Sequence, residues 1–193
     1  PSYQPGHAHA DTFNFVLNVN NQQIIVDTGI STYEPNETRL KERGTAAHNT
    51  VTVENKNSSE VWSSFRVARR ANVKIQHDDE NLVVAEHDGY RKLKTKHIRE
   101  WNFEEKQISV VDKLQGKYKS GTAHFHFAPG IIPEKTDNGI RIKKTSFIFT
   151  GETEIILIKT KTPDGYNRFQ DNYKAEIKFH DSLETEIYVI PPN

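Results

Sequence analysis

The N-terminal stretch of the sequence sets two imidazoles and a carboxylate at every second position, in Gly6-His7-Ala8-His9-Ala10-Asp11. In an extended chain these three side chains point to one side, with only small alanines between them. Two later segments add to the pattern, because Asp27 ends one strongly apolar segment and His48 begins another. A buried acid or imidazole at a strand end needs a partner, since burying it alone is costly. Two histidines and a carboxylate form a usual set of zinc ligands, with water in the fourth position.

The spacing leaves the identity of the carboxylate open. A hairpin between the first two segments would place Asp27 opposite Asn14, and His9 lies five residues beyond Asn14. A straight strand would then carry His9 ~16 Å away, at about 3.3 Å per residue. A site that uses Asp27 therefore requires the chain to bend near Ala10. Without that bend, Asp11 is the nearer carboxylate.

The composition of the chain excludes several classes of protein. Its 193 residues include 26 basic and 26 acidic side chains, so a net charge of zero gives no whole-molecule attraction to nucleic acid or to an anionic membrane. The absence of cysteine excludes a disulfide framework, thiolate catalysis and cysteine-bound metals. No apolar run approaches the ~20 residues of a membrane-spanning helix. The sequence also lacks methionine, which suggests a mature form or a piece of a longer protein.

Short runs of alternating polar and apolar residues dominate the chain and predict β-strands. Turn signals separate these runs, and only Glu34–Arg43 could form a helical turn or two. We therefore predict one domain over residues 1–193, an all-β antiparallel sandwich of more than ten short strands. The predicted strands include Asp11–Val19, Gln22–Asp27, Ser146–Thr150, Glu154–Lys161, Tyr173–Phe179 and Glu184–Ile190.

The longest irregular stretch runs from Thr28 to Asn49, and a loop of that length is more often functional than passive. Tyr33 and Arg39 lie in it and are candidates for substrate binding, because an aromatic ring and an arginine suit a uronate sugar. A loop that is merely anchored by Tyr33 is an equal alternative.

The remaining basic residues receive plainer interpretations. His124 and His126 share an aromatic strand without a nearby acid in sequence, which favours packing between sheets over a second metal site. The other histidines sit near strand ends or turns and are interpreted as surface residues: His77, His87, His97 and His180. Lys92, Lys94 and Lys96 alternate along a predicted strand. This pattern could bind an acidic polysaccharide but favours a solvated edge that discourages aggregation.

Three sequence blocks in this order are specific: GHAHADTFNFVLNVNNQQIIVDTGISTYE, RGTAAHNTVTVEN and SSEVWSSFRVARRA. With them the chain resembles the heparinase II/III-like proteins, which are bacterial polysaccharide lyases and their relatives and include alginate lyases. The likeness is continuous from Gly6 to the region of Ala71 and looser towards the C-terminus. In this family a helical toroid domain precedes a β-sandwich domain, and the blocks begin the sandwich.

The resemblance implies a zinc ion held by His9, Asp27 and His48, and we expect it to be structural rather than catalytic. It also implies that His7 faces the substrate cleft as the catalytic contribution of the sandwich. Four residues of the third block are expected to pack or to line a surface rather than to react: Trp62, Arg66, Arg69 and Arg70.

The implied activity is β-elimination of an acidic, uronate-containing polysaccharide. In the family the helical domain supplies the tyrosine and the asparagine of that reaction. The 193 residues hold no such domain, so we expect the isolated chain to have little or no activity and to need the helical domain of a full-length protein as partner. A periplasmic or secreted location is expected as well. The alternatives are a non-catalytic carbohydrate-binding or assembly module that keeps the zinc as scaffold, and a metal-dependent hydrolase.

Overall fold

Antiparallel strands account for most of residues 6–189, which are the part of the chain that the computed structural model describes. The strands in that part are β1 (Leu17–Val19), β2 (Gln22–Ile25), β3 (Val51–Val53), β4 (Val61–Trp62), β5 (Arg66–Val67), β6 (Val73–Asp78), β7 (Leu82–His87), β8 (Thr95–Phe103), β9 (Gln107–Gly116), β10 (Gly121–His126), β11 (Glu134–Lys135), β12 (Gly139–Ile142), β13 (Thr145–Pro163) and β14 (Phe169–Val189). One α-helix, α1 (Glu37–Glu42), and two 3-10 turns, Thr45–Ala47 and Arg91–Leu93, interrupt them within these residues. No helix in the same residues is both long and apolar enough to cross a membrane. The predicted all-β antiparallel class is confirmed.

The two longest strands, β13 and β14, take part in both layers of the sandwich. In the first layer, residues 145–148 of β13 pair with β12, and residues 182–188 of β14 pair with β9. This layer has the strand order β11-β12-β13-β14-β9-β8-β7-β6. In the second layer, residues 174–179 of β14 pair with β10, and β10 also pairs with β3. One hairpin therefore connects the two sheets.

The long hairpin changes layer at Gly151. The register of the β13–β14 ladder shifts between Thr150 and Glu154, which marks a bulge. Gly151 has a φ of +92°, and a Cβ at this position would lie 2.4 Å from the carbonyl oxygen of Ser182. Such a bulge increases the local twist and lets a strand pass from one sheet to the other.

Four strands that the sequence predicts as separate pieces are in fact joined in pairs. The residues between them, 151–153 and 180–183, lie where the register shifts in a ladder that continues on both sides. Polar residues and glycine are common in bulges as well as in turns, so composition alone could not separate the two. The continuous strand β13 contains Ser146–Thr150 and Glu154–Lys161, and β14 contains Tyr173–Phe179 and residues 184–189, while Ile190 lies outside the described residues.

Aromatic side chains from the two layers meet in the core. The ring centroid of Phe125, on β10, lies 6.3 Å from that of Phe147 and 5.7 Å from that of Phe149, both on β13. Phe127, just beyond β10, lies 6.0 Å from Phe147. Each of the four is at most 2% exposed. Burying a side chain of this kind stabilises a fold by about 1.5–3 kcal/mol, so this contact holds the sandwich together.

A small hairpin of β1 and β2 joins the N-terminal residues to the second layer. Asn20 and Asn21 form its turn with φ angles of 49° and 60°, which asparagine tolerates better than most residues. Ile25 forms an isolated bridge with Phe127 at the end of β10. The hairpin therefore sets Asp27, two residues later, beside the second layer.

The irregular stretch after Asp27 contains α1, which lies inside the predicted helical segment Glu34–Arg43. Asn36 caps it, and its side-chain oxygen accepts a hydrogen bond from the backbone N–H of Arg39 at 2.9 Å. Arg39 and Arg43 are four residues apart and therefore lie on one helix face. Both side chains are buried.

Candidate active site

The structure brings His9, Asp27 and His48 into one chain of contacts. The Nδ1 atom of His48 lies 2.7 Å from Oδ1 of Asp27, and its Nε2 atom lies 3.2 Å from Nδ1 of His9. The side chain of His48 is fully buried, whereas that of Asp27 is 41% exposed. Of the two carboxylates that the spacing left open, Asp27 is the one in contact with His48.

A turn directly after the first two histidines makes this contact possible. The backbone N–H of Asn14 donates to the carbonyl of Asp11 at 2.8 Å, and Phe13 adopts a φ of +68°. The chain thus has the bend that a site with Asp27 required. For the same reason the predicted strand Asp11–Val19 is reduced to Leu17–Val19.

Burial and neighbouring charges set the protonation of this chain of contacts. Burial and the nearby charges of His48 and Arg39 lower the pKa of His9 to about 4. Burial would raise the pKa of Asp27, but the hydrogen bond and the charge of His48 outweigh it and hold that pKa below its usual value. His9 is therefore neutral and Asp27 is ionised near pH 7, and these are the forms that bind a metal.

The two facing histidine nitrogens suit zinc in type and in spacing. Two nitrogens bound to one tetrahedral zinc at ~2.0–2.1 Å lie about 3.4 Å apart, close to the 3.2 Å between the facing nitrogens of His9 and His48. Asp27 contacts Nδ1 of His48, the nitrogen that faces away from His9, so its carboxylate would have to turn to bind the same zinc as the two histidines. Among residues 6–189, no group of three or more His, Cys, Asp or Glu side chains is arranged to hold a metal. The three-ligand zinc site stays a prediction.

His7 is exposed and lies beside two aromatic rings. Its ring centroid is 6.0 Å from that of Tyr33 and 6.5 Å from that of Phe65, with the rings edge-on. Tyr33 and Phe65 are themselves nearly parallel, with centroids 6.1 Å apart. We call these three side chains the aromatic cluster. No sequence signal pointed to Phe65, which comes from the tip of the β4–β5 hairpin.

Arg39 lies behind Tyr33 rather than at the surface. Its Cζ atom sits over the Tyr33 ring, 5.2 Å from the centroid, and its Nε donates to the carbonyl of Ser64 at 3.2 Å. The side chain of Arg39 is 0% exposed, and its Nη1 and Nη2 atoms have no hydrogen-bond partner among the described residues. Burial lowers the pKa of this guanidinium below its ordinary value. Of the two predicted substrate-binding residues, Tyr33 therefore contacts His7 at the surface, and Arg39 is buried beneath Tyr33.

Arg43, for which no role was predicted, fastens the N-terminal histidines to α1. Its Nε and Nη2 atoms donate to the carbonyl of Ala8 at 3.2 and 2.9 Å. Ala8 lies between His7 and His9, so this one carbonyl fixes the backbone of both. The spacing of four from Arg39 is the signal that could have identified Arg43, because it sets both on one helix face.

Asn49 fixes the backbone around the other two members of the predicted zinc site. It directly follows His48, and its Nδ2 donates to the carbonyl of Val26, which precedes Asp27, at 2.9 Å. Its Oδ1 accepts from the backbone N–H of His126 at 2.7 Å. The side chain is fully buried. A single amide therefore joins the two segments to the second layer.

A buried ionic network supports the same region from the first layer. Asp112 accepts hydrogen bonds from Nε and Nη2 of Arg99 at 2.7 and 2.9 Å and lies 2.6 Å from Nε2 of His97. Nη1 of Arg99 donates to the carbonyls of Phe13 and Asn49 at 2.7 and 2.8 Å. The network thus holds the turn after the N-terminal histidines. Breaking a buried ion pair of this kind is strongly destabilising.

The prediction that His87 and His97 are surface residues is wrong. They are 1% and 0% exposed, and Nε2 of His87 lies 3.0 Å from Nδ1 of His97. They are directly paired across β7 and β8, which turns both towards the interior. Strand-end positions in a sequence do not reveal such a pairing. His77 and His180 are exposed, as expected.

The three alternating lysines do not share one strand. Lys92 belongs to the 3-10 turn before β8, and Lys94 has a φ of +54°. Only Lys96 lies in β8, where its Nζ is 2.9 Å from a carboxylate oxygen of Glu86. The prediction of a lysine-lined strand is therefore wrong, because a turn interrupts the alternation.

Solved structures of heparinases have a similar fold. The chain superimposes on the heparinase III-BT4657 gene product with methylated lysines at a TM-score of 0.76 and 21% identity, over 96% of this chain and 31% of that one. A mutant of the heparan sulfate lyase HepC from Pedobacter heparinus gives a TM-score of 0.73 and 19% identity, over 98% and 32%. The chain thus spans about a third of the length of the structures it matches. No curated protein matches it significantly.

The sequence itself shows the family. The family described as heparinase II/III-like, C-terminal, matches residues 1–189, which is nearly the whole chain. The matched range covers the three blocks on which the resemblance was based. The chain therefore belongs to the heparinase II/III-like family, and it corresponds to the C-terminal domain of that family.

Proposed function

We propose that the chain is the β-sandwich part of a polysaccharide lyase that cleaves uronate-containing polysaccharides by β-elimination. One observation carries the proposal: exposed His7 lies in the aromatic cluster, two residues from His9 and its contacts with His48 and Asp27. The similarity to a protein named heparan sulfate lyase supports the same substrate class. A periplasmic or secreted location, where such polysaccharides are met, is part of the proposal.

The proposed reaction has defined demands on the protein. A base removes the proton on C5 of the uronate, the electron pair forms the C4=C5 double bond, and the C4–O4 bond breaks as O4 takes a proton. Charge builds up on the carboxylate at C5, so donors aimed at it lower the barrier. An imidazole can donate a hydrogen bond to that carboxylate or move a proton. In this proposal His7 does so, while Tyr33 contacts the sugar and Arg39 adds positive potential behind it.

In the same proposal His9, Asp27 and His48 hold a structural zinc ion. When bound, zinc would supply a cross-link between three chain segments and no chemistry on the substrate. The carbonyl of Ala8, held by Arg43, and the ligand His9 would then fix the backbone on either side of His7.

The zinc site predicts the metal content of the purified chain. We expect about one zinc per chain, and His48→Ala should lose it because His48 contacts both other residues. Metal analysis by mass spectrometry after dialysis measures this content. His180→Ala, at an exposed position, is the matched control and should keep the metal. Wild-type protein without any metal would refute the site.

The rest of the active site is proposed to come from a helical domain of a longer protein. The chain spans about a third of the length of the heparinase structures it matches, which supports this arrangement. The isolated chain should then give little or no unsaturated product from heparan-type, alginate-type or capsular uronates. If a protein that contains both this domain and the helical domain binds these polysaccharides without cleaving them, a non-catalytic module is favoured instead.

The role of His7 is tested in the protein that joins this domain to its helical domain. His7→Ala should reduce turnover by about 10²–10⁴-fold, the usual contribution of a positioned acid or base. The rise in ultraviolet absorbance of the unsaturated product measures turnover, and circular dichroism checks the fold. His77→Ala, also at an exposed histidine, should leave turnover unchanged. Unchanged turnover in His7→Ala would remove His7 from the mechanism.

A further inference from the structure

A groove lies along the β4–β5 hairpin, and His7 does not line it. It has a volume of about 620 Å³ and is bounded by the hairpin and by the 3-10 turn before β8. The charged and aromatic residues that line it are Lys56, Glu60, Trp62, Arg69, Tyr90 and Lys92. The volume falls in the range of small-molecule sites, which is ~300–1,000 Å³.

The charges in this groove favour an anionic ligand. The carboxylate of Glu60 pairs with both Arg69 and Lys92, the latter at 2.6 Å from Nζ. Three cations, which include Lys56, thus face one carboxylate, a surplus of two positive charges. The side chain of Lys92 is 68% exposed, so its remaining N–H groups can reach a ligand.

Trp62 gives the groove an aromatic surface. Its side chain is 48% exposed, although aromatic side chains of this size are usually largely buried. The Cζ atom of Arg66 lies 4.7 Å from its ring centroid, over one face. An indole ring combines a broad apolar face with a polar N–H. An apolar face with lysine and arginine beside it suits a sugar ring that carries carboxylate or sulfate groups.

The hairpin connects this groove to the aromatic cluster. Phe65, at the hairpin tip, belongs to the cluster, whereas Trp62 on β4 lines the groove. The tip is held in place by Arg39, whose Nε donates to the carbonyl of Ser64, and by Arg43. A polymer that passes His7 can therefore continue along the hairpin.

We infer that this groove binds further acidic sugar units of the polysaccharide, away from the units that react at His7. The inference rests on the proposed function for the identity of the polymer, but the binding it describes needs no turnover. The prediction that Trp62 and Arg69 line a surface is thereby extended, because they form a saccharide subsite together with Lys92.

The test measures binding of a heparan sulfate octasaccharide to the 193-residue chain by isothermal titration calorimetry. Trp62→Ala should weaken binding about tenfold, equivalent to ~1.4 kcal/mol, and Trp62→Phe should restore part of it. Lys92→Ala should weaken binding as well and should reduce its dependence on salt. A neutral dextran of equal length should not bind.

Lys178→Ala is the matched control, because Lys178 is also exposed and lies 2.7 Å from a carboxylate, that of Glu154, on another part of the molecule. Equal losses in Lys92→Ala and Lys178→Ala would show attraction by charge alone and would overturn the subsite. Unchanged binding in Trp62→Ala would also overturn it. If the protein that contains both domains is inactive but still binds the octasaccharide in the groove, the lyase function is refuted and the subsite is not.

Discussion

Arg39 and Arg43 bring two guanidinium groups into the interior beside the candidate site. Removing such a charge from water is costly, so each needs compensating contacts. The donors of Arg43 meet three backbone carbonyls, that of Ala8 and those of Ser63 and Arg66 in the β4–β5 hairpin. One side chain thereby joins the N-terminal histidines, α1 and the β4–β5 hairpin.

Replacing Arg43 should therefore loosen the site and lower stability. Arg43→Met should reduce the free energy of unfolding by about 2 kcal/mol, because these carbonyls lose their donors. Urea denaturation measures the change. Arg66→Met removes an exposed guanidinium from the Trp62 ring and should cost less than ~1 kcal/mol. Equal effects of the two substitutions would contradict the role given to Arg43.

The sequence was informative for side chains that need a particular partner. His9, Asp27 and His48 are metal-binding types at strand ends, and the structure brings all three together. Only the spacing of four from Arg39 could have identified Arg43, because its partners give no signal. Its partners are backbone carbonyls, which every residue carries, so no complementary residue type marks them in the sequence. Asn49 escaped prediction for the same reason.

At the scale of elements, the bulge at Gly151 decides the architecture, because the β13–β14 hairpin passes there from one layer to the other. We call this bulge the corner. The alternation of polar and apolar residues indicated many of the strands because it reports which face is buried, but it missed the turns within Asp11–Val19 and before β8. It could not show that a strand continues past Gly151, since a bulge and a turn use similar residues. The sequence also could not predict that β14 pairs with both β9 and β10, because these strands are far from β14 in sequence.

The corner predicts a large effect of adding one methyl group. Gly151→Ala should lower the free energy of unfolding by about 3 kcal/mol, because its Cβ would meet the carbonyl of Ser182 in addition to the strain of a positive φ. Gly130→Ala is the matched control: Gly130 also has a positive φ, +79°, but no atom lies within 4 Å of the added Cβ. It should cost about 1 kcal/mol. Thermal denaturation of both variants gives the comparison, and similar values would exclude the clash.

At the scale of the whole molecule, buried histidines make the fold sensitive to acid. Burial, as the largest cause, lowers the pKa of His87 to about 2, of His124 to about 3 and of His126 to about 4. The unfolded chain takes up these protons near the ordinary histidine pKa of 6.5, whereas the folded chain does not. The stabilisation is therefore complete above pH 6.5 and is lost as the pH falls towards the folded values.

We therefore expect the free energy of unfolding to fall steeply between pH 6.5 and pH 4. Each such histidine contributes about 1.4 kcal/mol per pH unit in this range. His124→Gln should reduce the slope of a plot of unfolding free energy against pH, measured by urea denaturation. His180→Gln, which removes an exposed imidazole, is the control. A slope that does not change in His124→Gln would show that His124 is not neutral in the folded protein.

The β13–β14 hairpin also bears on how the chain reaches this fold. Its strands are joined by a short connection between Pro163 and Phe169, and closing a short loop costs less entropy than joining distant segments. A nucleus formed by this one hairpin would already contain the corner between the layers. Its β14 edge could then add β9 on one side of the corner and β10 on the other. The angle between the two sheets would thus be set by a local folding event, before most of the long-range contacts form.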